Sequence, residues 1–441
     1  MSGRFLFTCW PFMGHLLPQL SIAAALRERG HEVAFHTGEG ARAHVEAEGF
    51  PLFAFDGVDD ARAYADIRLL EDSMRQGRPP ARLLLRTFRS WLVETIPAQV
   101  SDLRGIRRAW PADVLVADLA MWGPSVVSWE ADRIPVALST IFMGPLIPGR
   151  DAPPWGMGLA PPRTRRARAL GGAIERATRV SGIPLRRRVD AIRATYGLPP
   201  MGCTVNEHTG RLPLYLVPSV AELDYDRTDL PASVRYVGPC LWHPPDRPGT
   251  GAWLDGLPAG RPWVHVTEGT LSYGDPFVLR AALQGLAGRP LEVIATTGPQ
   301  RDARDLGLGP PAPNVHMTDW LSHGELLPRC DAVVTTGGAG TIVAALRAGV
   351  PLVVVPTTWD KPDNARRVVE AGVGVRVAAR RCTPERLRAA VERVLDDPSY
   401  RAAAQRVAAR LAEARGPAGA AELLEALLPA QVPAEGGVRW P

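Results

Sequence analysis

The stretch VVTTGGAGTIVAALRAGVPLVVVP, Val333 to Pro356, reads as strand, glycine cluster, helix and second strand. In open parallel sheets, ligands sit beyond the carboxyl ends of the strands. Gly337, Gly338 and Gly340 fall at such an end, and Thr341 opens the helix. Glycines let a backbone approach a ligand closely. A helix N-terminus offers unpaired N–H donors and the positive end of a dipole. This chemistry fits a phosphate or diphosphate; a tight structural turn is the other reading. A second candidate is His15 in FMGHLLPQL, just after a strand and at the start of the first helix. An imidazole at that edge either meets a ligand or bonds to the helix-end backbone. Asp118, at the end of the apolar run DVLVADL, is a strand-end cap or a partner for such a group.

Rigid elements must hold these residues, and the chain supplies them in alternation. RFLFTCW (Arg4 to Trp10) is strand-like, and HLLPQLSIAAALRERGHE follows with Leu16, Leu20, Ala23 and Ala24 on one helical face. Gly30 is a good helix stop. EVAFHTG, DVLVADL and IPVALST continue the strand pattern. In the second half WVHVT, LEVIATTG, NVHMTDW, DAVVTTGG and PLVVV repeat it. Strands alternating with helices imply parallel sheets covered on both faces. The expected architecture is α/β: two doubly wound domains facing each other, over residues 1–215 and 241–425. A proline- and charge-bearing linker over 216–240 joins them, and 426–441 reads as a tail. Residues from about 60 to 105 and 150 to 200 read as helical insertions.

Bulk properties agree. At 441 residues the chain is long enough for two domains. Its composition, 46% hydrophobic and 22% charged, is that of a soluble globular protein. No apolar run reaches the ~18 residues a membrane span needs. The opening MSGRFLFTCWPFMGH lacks a long apolar core and a small-residue cleavage site, so it reads as a first strand and not a signal peptide. Five scattered cysteines (Cys9, Cys203, Cys240, Cys330, Cys382) have no metal-ligand spacing and suit a reducing cytoplasm. The net charge of +5 is modest, and Lys361 is the only lysine. The basic runs RTRRARAL (Arg163 to Leu170) and RRR (Arg186 to Arg188) read as solvated helix faces. Without aromatic interleaving or a nucleic-acid motif, no nucleic-acid partner is expected.

Gly338-Ala339-Gly340 begins like a dinucleotide fingerprint, but Val343 replaces its third glycine and Asp360 lies beyond the next strand. No such fingerprint opens the N-terminal half, which weighs against a nicotinamide or flavin enzyme. The segment instead resembles the donor-binding motif of the family 1 nucleotide-sugar glycosyltransferases, bacterial natural-product and macrolide branch. Gly337, Gly338, Gly340, Thr341, Gly349, Pro351, Pro356, Asp360, Asn364 and Ala365 stand in that motif's register. The opening FLFTCWPFMGHLLPQL, the stretch LDYDRTDLPASVRYVGP, and the order of ATTG, NVHMTDWL and LLPRCDAVV extend the likeness over nearly the whole chain. The resemblance implies the GT-B fold, two facing Rossmann-like domains. It implies inverting transfer of a sugar from a TDP- or UDP-sugar to a hydroxyl on a small apolar acceptor, such as a polyketide or macrolide. It also implies a place in secondary metabolism.

The same resemblance assigns roles. His15 matches the general base for the acceptor hydroxyl, steadied by Asp118. A neutral imidazole taking that proton as the bond forms typically gives about 10²–10⁴-fold in rate. Trp320 and Leu321 match positions that flank the nucleotide base, Thr270 a hydroxyl residue near the phosphates, and Asp360 the residue that binds sugar hydroxyls. Trp91, Met121, Trp122 and Phe142 are candidates for an apolar acceptor cavity, although aromatic residues also build cores. Trp359 reads equally as core or pocket. No clustered carboxylates suggest a divalent metal, and the resemblance implies metal-independent transfer without a resident cofactor. The nucleotide-diphosphate sugar is then a co-substrate. Three positions depart from the pattern: Thr336 replaces the histidine that contacts the diphosphate, Lys361 replaces a glutamine, and Glu268 stands where a small or apolar residue is usual. A threonine hydroxyl can still donate one hydrogen bond to a phosphate oxygen, and Lys361 can restore positive charge. Loss of the histidine motivates a second reading, a silent auxiliary partner of a transferase, and the fold also hosts nucleotide-sugar epimerases. Retention of His15 and Asp118 argues against the auxiliary. A homodimer is compatible with the sequence.

Overall fold

The computed structural model describes residues 2–76, 81–242, 250–269, 275–298 and 310–429. Two parallel sheets organise them. The first contains β1 (Arg4–Thr8), β2 (Glu32–Thr37), β3 (Leu52–Ala54), β4 (Val114–Asp118), β5 (Val136–Ser139), β6 (Leu214–Val217) and β7 (Val234–Tyr236), in the order β3-β2-β1-β4-β5-β6-β7. The second contains β8 (Trp263–Thr267), β9 (Glu292–Thr296), β10 (Val315–Thr318), β11 (Ala332–Thr335), β12 (Leu352–Val354) and β13 (Gly374–Arg376), in the order β10-β9-β8-β11-β12-β13. Every described pairing is parallel.

Strands β4, β8, β9 and β11 are buried along their whole length. That is why they read as unbroken apolar runs: helices cover both faces of each sheet. Six helices matter to the site: α1 (Met13–Glu28), α2 (Asp60–Gln76), α3 (Phe277–Leu286), α4 (Ala339–Arg347), α5 (Lys361–Glu370) and α6 (Gly416–Glu425). The last returns to the first lobe, where Ala420, Ala421 and Leu424 join one core with Leu16, Leu20 and Ala23 of α1.

The segment 216–240, read from sequence as a linker, supplies most of an edge to the first sheet: it closes β6 and carries β7. Within the expected helical insertion 150–200, residues up to Thr164 form no helix, as the prolines at 153, 154, 161 and 162 require. The helix Arg165–Ser181 buries none of its residues, so its arginines do form a solvated face. All five cysteines are free thiols and four are buried. Among the described residues no helix is long and apolar enough to cross a membrane.

Each sheet reverses its strand order once, between β1 and β4 in the first and between β8 and β11 in the second. Crevices at such switch points are where open α/β sheets bind ligands. His15 and Asp118 follow β1 and end β4, while the glycine turn follows β11. The topology therefore delivers each candidate to the one edge position in its lobe made for a ligand.

Candidate active site between two switch points

The chain leaves β1, turns at Phe12 (φ −82°, ψ 134°) and enters α1 with no side-chain cap. The backbone N–H of His15 bonds to Phe12 O at 2.9 Å, which closes the helix end without the imidazole. The ring instead meets a carboxylate: His15 Nδ1 lies 3.0 Å from Asp118 Oδ2, with His15 8% and Asp118 0% exposed. Asp118 Oδ2 also accepts from Trp10 N (2.8 Å), and Oδ1 accepts from Ala120 N (2.6 Å) and Met121 N (3.1 Å). Asp118 is thus both strand-end cap and histidine partner. An ionised carboxylate can only accept, so Nδ1 carries the imidazole proton and Nε2 keeps its lone pair. That tautomer is the one a general base needs.

Aromatic side chains wall this pair. Phe12 touches His15 (ring centroids 5.3 Å), Tyr64 (4.8 Å) and Trp91 (5.9 Å). Of the acceptor-cavity candidates, Trp91, Met121 and Trp122 are buried in the same core cluster as Trp10 and Phe12. Phe142 is half-buried and packs on Trp155 at 6.0 Å.

In the second lobe the turn divides its glycines by task. Gly337 has φ +98°, and a Cβ there would stand 2.9 Å from Val354 Cγ1, so its role is structural. A Cβ added at Gly338 or Gly340 would meet nothing within 4 Å, so the backbone there faces open space. Gly338 opens α4 without a side-chain cap. The first-turn N–H groups of α4 are left as donors, beside half-buried Thr341.

The three departures resolve differently. Thr336 is buried and its hydroxyl donates to Glu268 O at 2.8 Å. The hydroxyl thus has a partner inside the lobe at the position where the sequence offers it to a phosphate oxygen. Glu268 Oε1 accepts from Val278 N (3.0 Å) and Leu279 N (3.4 Å), capping the start of α3. Lys361 opens α5 with Nζ 3.2 Å from Thr357 Oγ1. Trp320 is half-buried and Leu321 is packed into the second lobe's core. Thr270 and residues 430–441 lie outside the described residues.

Asp360 is half-buried, yet desolvation pushes its carboxyl up to about 6, with Lys361 and the Asn364 amide pulling the other way. Asn364 Nδ2 donates both to Asp360 Oδ2 (2.6 Å) and to Gly337 O (3.0 Å). Sequence reasoning matched Asn364 to a motif but gave it no role; its i,i+4 spacing from Asp360 was the available signal. A raised carboxyl value means the folded chain holds a proton that the unfolded chain has released. This group therefore stabilises the fold as pH falls below about 6 and loses that contribution as pH rises through it. A carboxyl-carbon NMR titration of the apoprotein is expected to place Asp360 near 6, and a midpoint at the ordinary aspartate value of about 3.9 would contradict the burial argument.

Comparison with known proteins bears on the family and the fold. Residues 281–427 match the family model described as erythromycin biosynthesis protein CIII-like, C-terminal domain. The 4'-demethylrebeccamycin synthase of Lentzea aerocolonigenes is 35% identical over 434 residues, covering 97% of this chain and all of that protein. The demethyllactenocin mycarosyltransferase of Streptomyces fradiae is 28% identical, covering 96% of this chain and 86% of that one. The crystal structure of the kitacinnamycin glycosyltransferase superposes with a TM-score of 0.73 at 25% identity, over 97% of this chain and 100% of that one. With two parallel-sheet lobes and a full-length relative this similar, the chain belongs to the GT-B glycosyltransferases of antibiotic biosynthesis.

Proposed function

We propose that this glycosyltransferase moves a sugar from a TDP- or UDP-sugar to a hydroxyl of a small, largely apolar natural product, with inversion, and with His15 as general base. The observation that carries the proposal is the His15–Asp118 pair at 3.0 Å. Its lone pair on Nε2 takes the acceptor proton while the acceptor oxygen bonds to the anomeric carbon. The bond from that carbon to the diphosphate breaks in the same displacement, and its electron pair leaves with the nucleotide. Asp118 stabilises the imidazolium so formed. The uncapped start of α4 and the open backbone at Gly338 and Gly340 support binding of the departing diphosphate. In this reading Lys361 adds positive charge beside it, and Asp360, mostly ionised at neutral pH, accepts from sugar hydroxyls. The first lobe, residues up to about 242 together with α6, then takes the acceptor, and the second, from about 250 to 413, the donor. The reading calls on no metal ion or resident cofactor.

The test is product stereochemistry. Incubation with an α-linked nucleotide sugar and an acceptor is expected to give a β-glycoside by proton NMR, with nucleotide release that depends on the acceptor. An α-linked product, or an isomerised sugar formed without acceptor, would overturn it.

A further inference from the structure

We infer that Trp359 is a positioning residue for the transfer, anchored by Glu71 of the opposite lobe; the inference rests on the nucleotide-sugar reading above. Trp359 immediately precedes Asp360 and has φ +59°, one of two non-glycine residues with positive φ among those described. A bulky side chain stays in that region only where its surroundings hold it there. Here the hold comes from the first lobe. The indole Nε1–H donates to Glu71 Oε1 at 2.7 Å. Glu71 lies on α2, is 3% exposed, and its Oε2 has no hydrogen-bond partner among the described residues. This buried carboxylate therefore depends on the indole, as the indole depends on it.

Two chains of contact leave Trp359. Its ring packs on Trp91 at 6.1 Å; Trp91 packs on Phe12, which packs on His15. In the other direction, Asp360 accepts from the Asn364 amide that also holds Gly337 O. Trp359 is thus joined both to the wall of the base and to the donor turn. In-line displacement needs these two held in register across the lobes, and a misplacement of ~1 Å can cost ~10²-fold in rate. Other ties cross the lobes without it. Asp363 accepts from Gly156 N (2.6 Å) and Gly158 N (2.7 Å), and Arg367 pairs with Asp224 at 2.8 Å. Cutting the Trp359–Glu71 bond should therefore disturb alignment more than lobe association.

The experiment compares the full chain with Glu71→Ala, Glu71→Gln and Trp359→Phe. It measures kcat for transfer, the melting temperature, and the calorimetric Kd for thymidine and uridine diphosphate. Glu71→Ala and Trp359→Phe are expected to lower kcat by about tenfold or more, while the Kd for the nucleoside diphosphate, held by the second lobe alone, stays within about twofold. Glu71→Gln, whose amide oxygen still accepts the indole proton, is expected to keep most of kcat. Unchanged kcat in folded Glu71→Ala, or Glu71→Gln and Trp359→Phe falling together, overturns the inference. Should Glu71→Ala fail to fold, the other two variants still decide. A wild-type chain that binds neither nucleoside diphosphate overturns the site reading, and this inference with it; wild-type binding and transfer with an indifferent Glu71→Ala overturns the inference alone.

Discussion

Asp118→Asn is expected to lower kcat by about 10²–10⁴-fold, as far as His15→Ala does, although it changes a single atom. Both carboxylate oxygens are engaged by donors: Oδ2 faces Trp10 N–H and His15 Nδ1, and Oδ1 faces Ala120 and Met121 N–H. Whichever way the asparagine amide turns, its NH₂ meets N–H groups. Turned toward His15, it donates to Nδ1 and moves the imidazole proton to Nε2, where the lone pair was needed. Turned the other way, it leaves two backbone N–H groups buried without an acceptor, at ~1–3 kcal/mol each. Activity and melting temperature should therefore both fall in Asp118→Asn, whereas His15→Ala should lose activity with a smaller loss of stability. Nucleoside diphosphate affinity should hold in both, because neither residue lies in the second lobe. Steady-state kinetics with thermal denaturation separates these cases. An Asp118→Asn chain with wild-type kcat would show that the carboxylate is only a cap.

The second large effect distinguishes two neighbouring glycines. At Gly338 the backbone (φ −62°, ψ 134°) suits alanine, and an added Cβ meets no protein atom within 4 Å. Gly338→Ala should therefore fold normally, within about 0.5 kcal/mol of wild type. Its methyl group would project into the space that the proposal gives to the diphosphate, so the donor KM should rise about tenfold or more, roughly 1.4 kcal/mol in binding. Gly337→Ala should behave in the opposite way. Its φ of +98° and the 2.9 Å approach to Val354 Cγ1 put the cost in the fold, at about 1–3 kcal/mol. Melting temperature and donor KM, measured on both variants, check the pair. A Gly338→Ala chain with unchanged KM would remove the diphosphate from this turn.

Much of this was legible in the sequence because parallel sheets write themselves in apolar runs. The strands β1, β2, β4, β5 and β8 to β12 each appear as such a run. β3 and β13 are as short as β12 but, unlike it, not fully buried, so they lack its unbroken apolar run, and β7 hides among prolines and charges because it is a sheet edge with one residue exposed. His15, Asp118 and the glycine turn were visible for a further reason: all three lie next to strand ends, and chain order fixes which ends become switch points. Side-chain partners across long separations were not visible. Glu71 and Trp359 are 288 residues apart, and no spacing rule joins a helix of one lobe to a turn of the other. Glu268 looked anomalous until the start of α3 was seen above it. Nor does any spacing rule show that the Thr336 hydroxyl lies 2.8 Å from Glu268 O, 68 residues away.

The central claim is that one lobe removes a proton from the acceptor while the other holds the leaving diphosphate. A crystal structure with a nucleoside diphosphate and an acceptor bound together tests it most directly. The account predicts phosphate oxygens against the backbone N–H groups that open α4, next to Gly338 and Gly340, and an acceptor hydroxyl in hydrogen-bond reach of His15 Nε2. A diphosphate bound away from that turn, or an imidazole sealed off from the acceptor, would contradict it.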